Sequence, residues 1–517
     1  PLNIPANITL TAVDTNSTIV LKADCDTTIS NFNATKGRWV KRGTGTLTID
    51  IPADTTYMVC PVHTGPQASS PDVNSTNHNA TFPEDGSEPS DIHTTLGVAE
   101  GELRFAGHGN SRARVLGVTM VGLPTSSGTG GQTLTLDNVF FDCTEANYVY
   151  NGWQNSSKLK NQHSVIKIIN GARLAVKATM PGYSCTDANS SIVYAITNGT
   201  YSFSSSGGGY LSRGYAGTGT RAIVRYHLNA SQMYTTEKAN LDGSLELDLD
   251  NGSTFSTEDG KPVSFNKGND NRLYGEILVR GGSTFMFSGI NEPAQNRDFT
   301  IAFDNGKWVY DANNGDKTYP ASQNGHVIYE MRGRGAILSP AEGCTFTTEA
   351  PFTGEGGVVN AGLGTIAFAD GTALFKGTVE AINEASTVDF SNCNQTLEGN
   401  GFKGAGTIKG ATIYKAKLPV EFDDTLNAGE GAVNFEDCAL SGLITVNAGR
   451  TLENPLPRMP LPKPIAVAKI SGSTTIDVSK FRLKGTGQKN IAGVFELKNG
   501  TIYLNEIITA GAIITIR

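Results

Sequence analysis

The chain repeats one short unit, in which two apolar runs are joined by a turn of Gly or Asn. This unit limits the folds that are open to the chain. Alternation with a period of two places Leu, Ile, Val and Phe on one face of a strand. In two copies the Ser-Thr-Phe ends, at Phe255 and Phe285, lie 30 residues apart, an interval that suits one layer of stacked strands. The copies are Ile166–Leu174, Leu245–Phe255 and Glu276–Phe285, with echoes at Gly377–Val388 and Leu443–Leu452.

The repeated unit predicts an all-β fold, a parallel β-helix with loop excursions. One unit cannot bury its apolar face alone, whereas stacked units share a core and complete each other's backbone hydrogen bonds. The Asn-Gly and Gly-Gly corners tolerate left-handed backbone. No run of about 12 residues has helical periodicity. An array of β-sandwiches, which also consists of short strands and turns, stays open as the alternative.

Charge and composition exclude two classes of protein. The formal net charge is −8 and no run of Lys or Arg occurs, whereas a nucleic-acid binder needs clustered cations. No continuous apolar stretch of about 18 residues is present, so the sequence predicts no membrane-spanning helix. The chain starts at Pro1 rather than Met, as a processed or trimmed chain would, and carries no signal-peptide pattern. Only 17% of residues are charged, against about 25% on average, which favours turns over salt-bridged helices.

A second motif near the start reads Trp39-Val-Lys-Arg-Gly-Thr-Gly-Thr-Leu-Thr-Ile49. It resembles the autotransporter-associated β-strand repeat of secreted bacterial passenger proteins, in the pectin-lyase-like β-helix superfamily. Weaker echoes are Gly362–Ile366 and Gly404–Ile408. The resemblance implies a right-handed parallel β-helix that is exported and serves as a surface, adhesive or structural module. In physical terms, a Gly-x-Gly corner leads into a strand whose Leu or Ile points inward and whose Thr points out.

Composition shifts predict the organisation of the chain. We expect a parallel β-helix over residues 1–452, with loop insertions near 61–92 and 288–325, the second a hairpin around Trp308. Residues 204–220, which begin with Ser-Ser-Ser-Gly-Gly-Gly, read as a flexible connection. Residues 453–464 read as a Pro-rich linker. Residues 465–517 read as a small C-terminal β cap or assembly module, because an open end of stacked strands exposes unpaired backbone.

Seven cysteines without a C-x-x-C pair do not indicate a zinc ribbon or a thioredoxin-like site. If the compartment is oxidising, sequence neighbours could form the bridges Cys25–Cys60, Cys143–Cys185 and Cys393–Cys438 and leave Cys344 free. The alternative is that the cysteines are small buried apolar residues. Both interpretations stay open at this point.

Candidate catalytic chemistry is limited to the triplet Gly107-His108-Gly109, followed by Asn110-Ser111. A Gly-His-Gly triplet is similar to one motif of the β-helical polygalacturonase-type hydrolases. Such hydrolases also need paired carboxyl groups, one as acid and one to activate water. Their other acidic motifs are missing in the required order, and Asp423-Asp424 lies more than 300 residues downstream. We therefore predict no catalytic residue.

Metal binding and cofactor binding are not predicted either. His63, His78, His93 and His108 recur every 15 residues, but a Pro-rich loop contains the first two and adjoins the third, so a common register is not expected. Asp72, Glu84, Asp85 and Glu88, and the segment Asp311–Asp316, are acidic enough for Ca²⁺, yet solvated turns explain them better.

Two function classes follow. The first is a secreted or cell-surface structural or adhesive protein, which self-associates into fibres or a surface layer and has surface glycans as candidate ligands. Its terminal segment Ile507–Arg517 is rich in Ile and Ala and could pair with an edge on the next copy. The alternative is a β-helical polysaccharide lyase or glycoside hydrolase. A lectin or a phage tail spike is a lesser variant.

Overall fold

The computed structural model describes an all-β chain, as predicted. Among the described residues the one helical element is a 3₁₀ turn at Val478–Lys480. The described residues are 2–4, 18–30, 32, 38–60, 94–122, 131–145, 149–152, 163–179, 181–182, 190–204, 210–213, 222–236, 238–267, 274–290, 299–310, 315–321, 327–420, 432–448, 458–485 and 491–509.

The chain divides into two compact units, residues 1–300 and 301–517. The strands of the first unit are β1 (Leu2–Ile4), β2 (Thr18–Lys22), β3 (Thr27–Ile29), β4 (Arg38–Arg42), β5 (Thr46–Ile51), β6 (Thr56–Cys60), β7 (Thr94–Val98), β8 (Gly101–Gly107), β9 (Arg112–Val115), β10 (Val118–Val121), β11 (Gly131–Asp137), β12 (Phe140–Cys143), β13 (Val149–Asn151), β14 (His163–Ile169), β15 (Arg173–Val176), β16 (Ser191–Thr197), β17 (Thr200–Phe203), β18 (Tyr210–Arg213), β19 (Ile223–Asn229), β20 (Gln232–Thr235), β21 (Lys238–Asp242), β22 (Ser244–Asp250), β23 (Thr254–Thr257), β24 (Val263–Lys267), β25 (Tyr274–Arg280) and β26 (Thr284–Ile290).

The first unit is built from parallel ladders. Ladder A runs in the order β1, β3, β5, β8, β11, β14, β16, β19, β22 and β25, and each strand pairs in parallel with the next. Ladder B runs β6, β9, β12, β15, β17, β20, β23 and β26, again in parallel. A third set of strands, ladder C, pairs as β2, β4, β7, β10 and β13. Parallel pairing excludes the β-sandwich alternative, because sandwiches are antiparallel.

The corners between ladders A and B confirm the predicted repeat. Asn170-Gly171, Asn251-Gly252 and Gly281-Gly282 all have positive φ, between 52° and 84°, which Gly and Asn adopt most readily. Each corner therefore turns one strand sharply into the next. Phe255 of β23 pairs directly with Phe285 of β26, so the interval of 30 residues is one step from strand to neighbouring strand.

Inward side chains form continuous apolar rows across ladder A. The strands alternate buried and partly exposed positions, as in β5, whose Leu47, Ile49 and Ile51 are buried. Each buried aliphatic side chain contributes about 1.5–3 kcal/mol, and here it packs against its counterpart in the next strand. One such row is Leu47, Leu103, Leu134, Ile166, Tyr194, Tyr226, Leu247 and Ile277.

The second unit contains further parallel ladders and an antiparallel end. Its strands are β27 (Phe299–Val309, which begins just before the boundary), β28 (Lys317–Tyr319), β29 (Val327–Leu338), β30 (Thr345–Thr348), β31 (Phe352–Gly354), β32 (Val358–Asn360), β33 (Thr365–Phe368), β34 (Ala373–Phe375), β35 (Thr378–Ala381), β36 (Thr387–Asp389), β37 (Thr396–Glu398), β38 (Gly401–Gly404), β39 (Thr407–Lys409), β40 (Thr412–Tyr414), β41 (Lys417–Val420), β42 (Asn434–Glu436), β43 (Ala439–Ser441), β44 (Ile444–Ala448), β45 (Arg458–Ser471), β46 (Phe481–Gly485), β47 (Ile491–Lys498) and β48 (Thr501–Thr509).

Ladder D of the second unit changes direction at its end. It runs β28, β30, β33, β36, β39, β42 and β45 in parallel. Strand β48 then pairs antiparallel with β45, and β47 pairs antiparallel with β48. Among the described residues β47 and β28 are the outer strands of this sheet.

Three predicted boundaries differ from the structure. The predicted hairpin around Trp308 is wrong, since β28 pairs in parallel with β30 and Trp308 is a buried residue of β27. The prediction failed because Asn-Gly pairs mark corners between stacked strands as well as hairpins. The Pro-rich linker 453–464 is strand from Arg458 onward, so the boundary at 464 falls inside β45. Strand β18 lies inside the predicted flexible connection 204–220. The predicted loop 61–92 lies outside the described residues.

Candidate functional site

The strongest sequence candidate, His108, lies at the corner after β8 on the outer face of ladder A. Its Nε2 is 2.8 Å from Oδ1 of Asp50, an outward residue of β5. Asp50, Ala106 and Asp137 occupy one row in neighbouring strands. The two carboxyl-bearing positions are therefore two strand spacings apart, about 9.6 Å. The structure thus brings one histidine and two carboxylates to the same face.

The glycines that flank His108 are explained by the backbone. Gly109 has φ +58°, a left-handed conformation, and a Cβ at Gly107 would lie 2.0 Å from Oγ of Ser111. The triplet is therefore required by a tight corner, and it carries no catalytic information by itself.

Asp137 is held in its ionised form. Burial alone would raise the pKa of its carboxyl, but hydrogen bonds from Asn170 and Arg104, together with the charge of Arg104, outweigh burial and lower the pKa. Asn170 Nδ2 lies 2.8 Å from Asp137 Oδ1, and Arg104 forms an ion pair with Oδ2 of Asp137. Asp137 is therefore a hydrogen-bond acceptor at neutral pH and cannot supply a proton.

A second ion-paired group lies on the outer face of ladder B. Arg112 pairs with Asp142, which is only 3% exposed and also accepts hydrogen bonds from Thr144. Burial opposes these contacts, yet they lower the pKa of Asp142. The guanidinium groups of Arg112 and Arg173 lie 5.1 and 4.9 Å from the centre of the Phe140 ring. Cation–π contacts of this kind stabilise a site by about 0.5–1 kcal/mol when exposed.

Neither Asp137 nor Asp142 has the property that glycoside hydrolysis requires of its general acid. A general acid needs a carboxyl group with a raised pKa, and both Asp137 and Asp142 have lowered ones. Asp50 is engaged with His108. The arrangement stabilises strand pairing across layers and can contact a polar ligand, and neither Asp137 nor Asp142 serves as a proton donor in it.

The remaining candidates are not brought together. His63, His78 and His93, the acidic residues Asp72, Glu84, Asp85 and Glu88, and Asp423-Asp424 lie outside the described residues. Of the segment Asp311–Asp316, only Gly315 and Asp316 are described, and Asp316 Oδ1 accepts a hydrogen bond from the Thr345 amide at 2.8 Å. Within the described ranges no group of three His, Cys, Asp or Glu residues could hold a metal ion.

The predicted bridge Cys393–Cys438 is not formed, whereas Cys185 and the side chain of Cys60, the predicted partners of Cys143 and Cys25, lie outside the described residues. Cys25 is an exposed free thiol, Cys393 and Cys438 are buried free thiols, and Cys143 is a buried thiol as well. Cys393 and Cys438 fill space between layers, and burial raises the pKa of Cys438 to about 11. These residues behave as small apolar residues, the alternative that the sequence had left open. Cys344, predicted free, is free.

The Trp39–Ile49 motif forms a corner with a buried cation that sequence reasoning missed. Lys41 is only 2% exposed, and its Nζ donates to the carbonyl oxygens of Gly43, Gly45 and Glu100 at 2.5, 2.6 and 3.1 Å. Burial lowers the pKa of Lys41, against the opposing charges of Glu100, Asp24 and Glu102. The ammonium group thus joins the Gly-x-Gly corner to the start of the next layer.

The rest of the motif behaves as its pattern predicts. Trp39 is buried edge-on against Phe32 at 4.8 Å between ring centres. A Cβ at Gly45 would lie 2.5 Å from the backbone of Cys25, so the corner requires glycine. Leu47 and Ile49 of β5 point inward and the threonines point out. The spacing Lys-x-Gly-x-Gly could have indicated the buried Lys41, because the two glycines expose their carbonyl oxygens to it.

No family model, curated protein or solved structure matches the chain. The family resemblance of the Trp39–Ile49 motif therefore stays a prediction. Within the described part of the chain no helix is long and apolar enough to cross a membrane.

Proposed function

We propose that the chain is an exported structural or adhesive protein built on a right-handed parallel β-helix. The observation that carries the proposal is ladder A, in which ten strands of the first unit pair in parallel in unbroken succession. Nine spacings of about 4.8 Å give this ladder a length of about 43 Å. A ladder of this kind supplies a stiff support for the outer face and its loops.

The connections between paired strands support the helical path. Parallel neighbours need a crossover of a dozen or more residues, which in most proteins is an α-helix. Here the crossover from β22 to β25 contains strands β23 and β24, which belong to other ladders. This turn of chain therefore contributes one strand to each of two other ladders before it returns to ladder A. The right hand follows the twist of L-amino-acid strands, which makes crossovers right-handed in about 98% of cases.

The enzyme alternative predicts a measurable product, and we expect none. The chain is incubated with a polyanionic glycan, polygalacturonate, and with a neutral glycan, xylan, and released reducing ends are measured beside retention of each glycan on the immobilised chain. Because Asp137 and Asp142 are ionised and paired, we expect no release above buffer. Release that His108→Ala abolishes, while the matched exposed variant His227→Ala retains it, would establish the hydrolase instead.

We propose that the chain self-associates through the edge strand β47. The predicted segment Ile507–Arg517 is less suitable, because its first residues already pair within the sheet. Ile507 is fully buried and pairs with both Met459 and Gly493. The residues after Thr509 lie outside the described part of the chain. By contrast β47 has a strand neighbour on one side only among the described residues, and Val494 and Leu497 are 38% and 42% exposed. An edge strand with exposed apolar residues is a template for pairing with another chain.

Charges placed on β47 are expected to abolish this association. In the double variant Val494→Lys, Leu497→Lys, like charges meet wherever two edges approach, so the concentration-dependent rise of the sedimentation coefficient should disappear. The matched control is Leu363→Lys, Leu374→Lys, because these leucines are 46% and 48% exposed in the same unit and lie away from β47. Equal association of wild type and both double variants would exclude β47 as the interface.

A further inference from the structure

The second unit contains a partly open cavity of about 140 Å³, to which the predicted sites contribute only Gly315 of the segment Asp311–Asp316 among the described residues. It lies between β27, β28 and β30 and the turn that joins β29 to β30. Trp308, Leu338 and Phe346 line it as buried apolar residues, and the Trp308 and Phe346 rings meet edge to face at 5.6 Å between centres. Cys344 lines it from the turn, where its amide bonds the Ala341 carbonyl at 3.0 Å.

One residue of the lining breaks the pattern of the sheet around it. In ladder D, Lys317 of β28 pairs directly with Phe346 of β30, so both side chains lie on the same face. The next five members of that row are buried apolar residues, and the last, Ile470, is an apolar residue that is partly exposed. The row continues Phe346, Ile366, Val388, Ile408, Phe435 and Ile470. A lysine therefore occupies an inward position beside an aromatic cavity, and such departures from local pattern concentrate at functional sites.

The geometry points to this cavity as a binding site for a small aromatic carboxylate. The volume suits a single six-membered ring, since a cavity of about 150 Å³ lined by apolar side chains binds benzene in another protein. The ring would pack against Trp308 and Phe346, which favour offset or edge-to-face aromatic contacts. The carboxylate would lie toward Lys317, the one charged residue among the described residues that line the cavity.

The polarity of the lining favours an aromatic acid over an acidic sugar. A sugar ring presents hydroxyl groups on every side and needs several hydrogen-bonding partners, and burying hydroxyl groups without partners is unfavourable. Here most of the lining is apolar, with Trp308, Leu338, Phe346 and Pro340 as its members, and the side-chain hydroxyl groups of the described lining are limited to those of Tyr310, Ser339 and Thr345. An aromatic acid and an acidic sugar both carry a carboxylate, so the two ligands differ in how well their rings fit the lining.

The test measures, by calorimetry, the binding of three probes to the full chain: benzoate, benzylamine and glucuronate. Ligand efficiencies typical of small molecules give benzoate a Kd of about 10 mM or tighter. We expect saturable binding of benzoate and none of benzylamine or glucuronate in that range. Lys317→Met should weaken benzoate binding at least about fivefold, and Lys317→Arg should restore most of it. The matched variant Lys480→Met, an exposed lysine of the same unit, should bind like wild type.

A second readout locates the ligand. Alkylation of Cys344 by iodoacetamide, followed by peptide mass, should be slowed by benzoate at saturation, because the thiol lines the same cavity. Cys25, which is exposed in the first unit, reports any general effect of benzoate on the reagent and should react at an unchanged rate. Protection of Cys344 with Cys25 unaffected supports the site.

Four results would overturn the inference. The first is no saturable benzoate binding to a chain whose folded state is verified by circular dichroism. The second is binding that leaves the alkylation of Cys344 unchanged. The third is tighter binding of glucuronate than of benzoate, which would assign the cavity to an acidic sugar. The fourth is a loss of stability in Lys317→Met without any change in benzoate affinity, which would assign Lys317 to protection of the sheet edge instead of carboxylate binding.

Discussion

Above pH 10 the first unit is expected to lose stability steeply, because three tyrosines are buried together in its core. Tyr194 and Tyr226 stack at 4.6 Å between ring centres, and Tyr201 lies 5.4 Å from Tyr194. Burial raises the pKa of Tyr194 to about 12 and those of Tyr201 and Tyr226 well above 10.0. The folded unit thus keeps three phenol protons that the unfolded chain has lost.

The direction and size of the effect follow from proton linkage. An acid whose pKa is raised by folding stabilises the fold only below its unfolded value, so the stability declines as pH rises from 10.0 toward the folded pKa. Each tyrosine lowers the free energy of unfolding by about 1.4 kcal/mol per pH unit in that window. The three together give about 4 kcal/mol per pH unit. Urea unfolding at a series of alkaline pH values, followed by tyrosinate absorbance, measures the slope.

Removing one hydroxyl should remove one third of the slope. Tyr201→Phe is the suitable change, because its buried Oη makes no hydrogen bond of normal length and angle and its loss at neutral pH is therefore tolerated. Ile196→Val is the matched control: a buried change in the same core that shifts the whole curve by about 0.5–1.5 kcal/mol and leaves its slope unchanged. A slope that is the same in Tyr201→Phe and wild type would contradict the linkage.

Gly335→Ala should destabilise the second unit by about 3 kcal/mol or more. Gly335 lies in β29 with φ +82°, and a Cβ there would lie 1.7 Å from the carbonyl oxygen of Gly357 in the neighbouring strand segment. The clash is with backbone, so only separation of the strands can relieve it. Hydrogen exchange of peptides from the second unit, together with urea unfolding, measures the loss.

Substitution of a nearby glycine distinguishes the steric clash of the new Cβ from the strain of a left-handed backbone. Gly343 has a similar φ of +72°, but nothing lies within 4 Å of a Cβ built there. Gly343→Ala should therefore cost only the strain of a left-handed residue, about 1–2 kcal/mol. Equal losses in the two variants would mean that β29 and its neighbour can move apart without penalty.

Local sequence patterns were sufficient to predict the parts of the fold that depend on backbone conformation and burial within a few neighbouring residues. The Asn-Gly and Gly-Gly pairs at 170–171, 251–252 and 281–282 mark left-handed corners, and the alternating runs beside them form the paired strands. The match of Phe255 with Phe285 followed from the interval between two copies of one unit. For these two strands, the recurrence of the unit in the sequence therefore predicted the pairing.

Other features depended on partners far away in sequence. Lys41 reads as a surface residue, and only the carbonyl of Glu100, 59 residues later, completes its set of acceptors. Proline normally interrupts a ladder, yet Pro460 lies in β45, where the pairing with β48 changes register between Pro460 and Ile465. This change of register accommodates proline, which has no amide hydrogen to donate to the ladder. The third acceptor of Lys41 and the register change in β45 have no signature within one short window of sequence.

The candidate sites show the same division. His108 was identified from a triplet, but its partner Asp50 and the pairing of Arg104 with Asp137 depend on register between strands. Lys317 had no signal in its own neighbourhood, because its position beside Phe346 becomes unusual only when the whole row of ladder D is aligned.

The reversal of direction at the end of ladder D has a consequence for assembly symmetry. Two copies that join through their β47 edges use the same surface on both sides, a two-fold contact that closes at a dimer. Among the described residues the opposite boundary of that sheet is β28, which follows the parallel set and presents a different order of amide and carbonyl groups. Growth beyond two copies would require unlike boundaries to meet head to tail, so the stoichiometry of any complex reports which boundary is used.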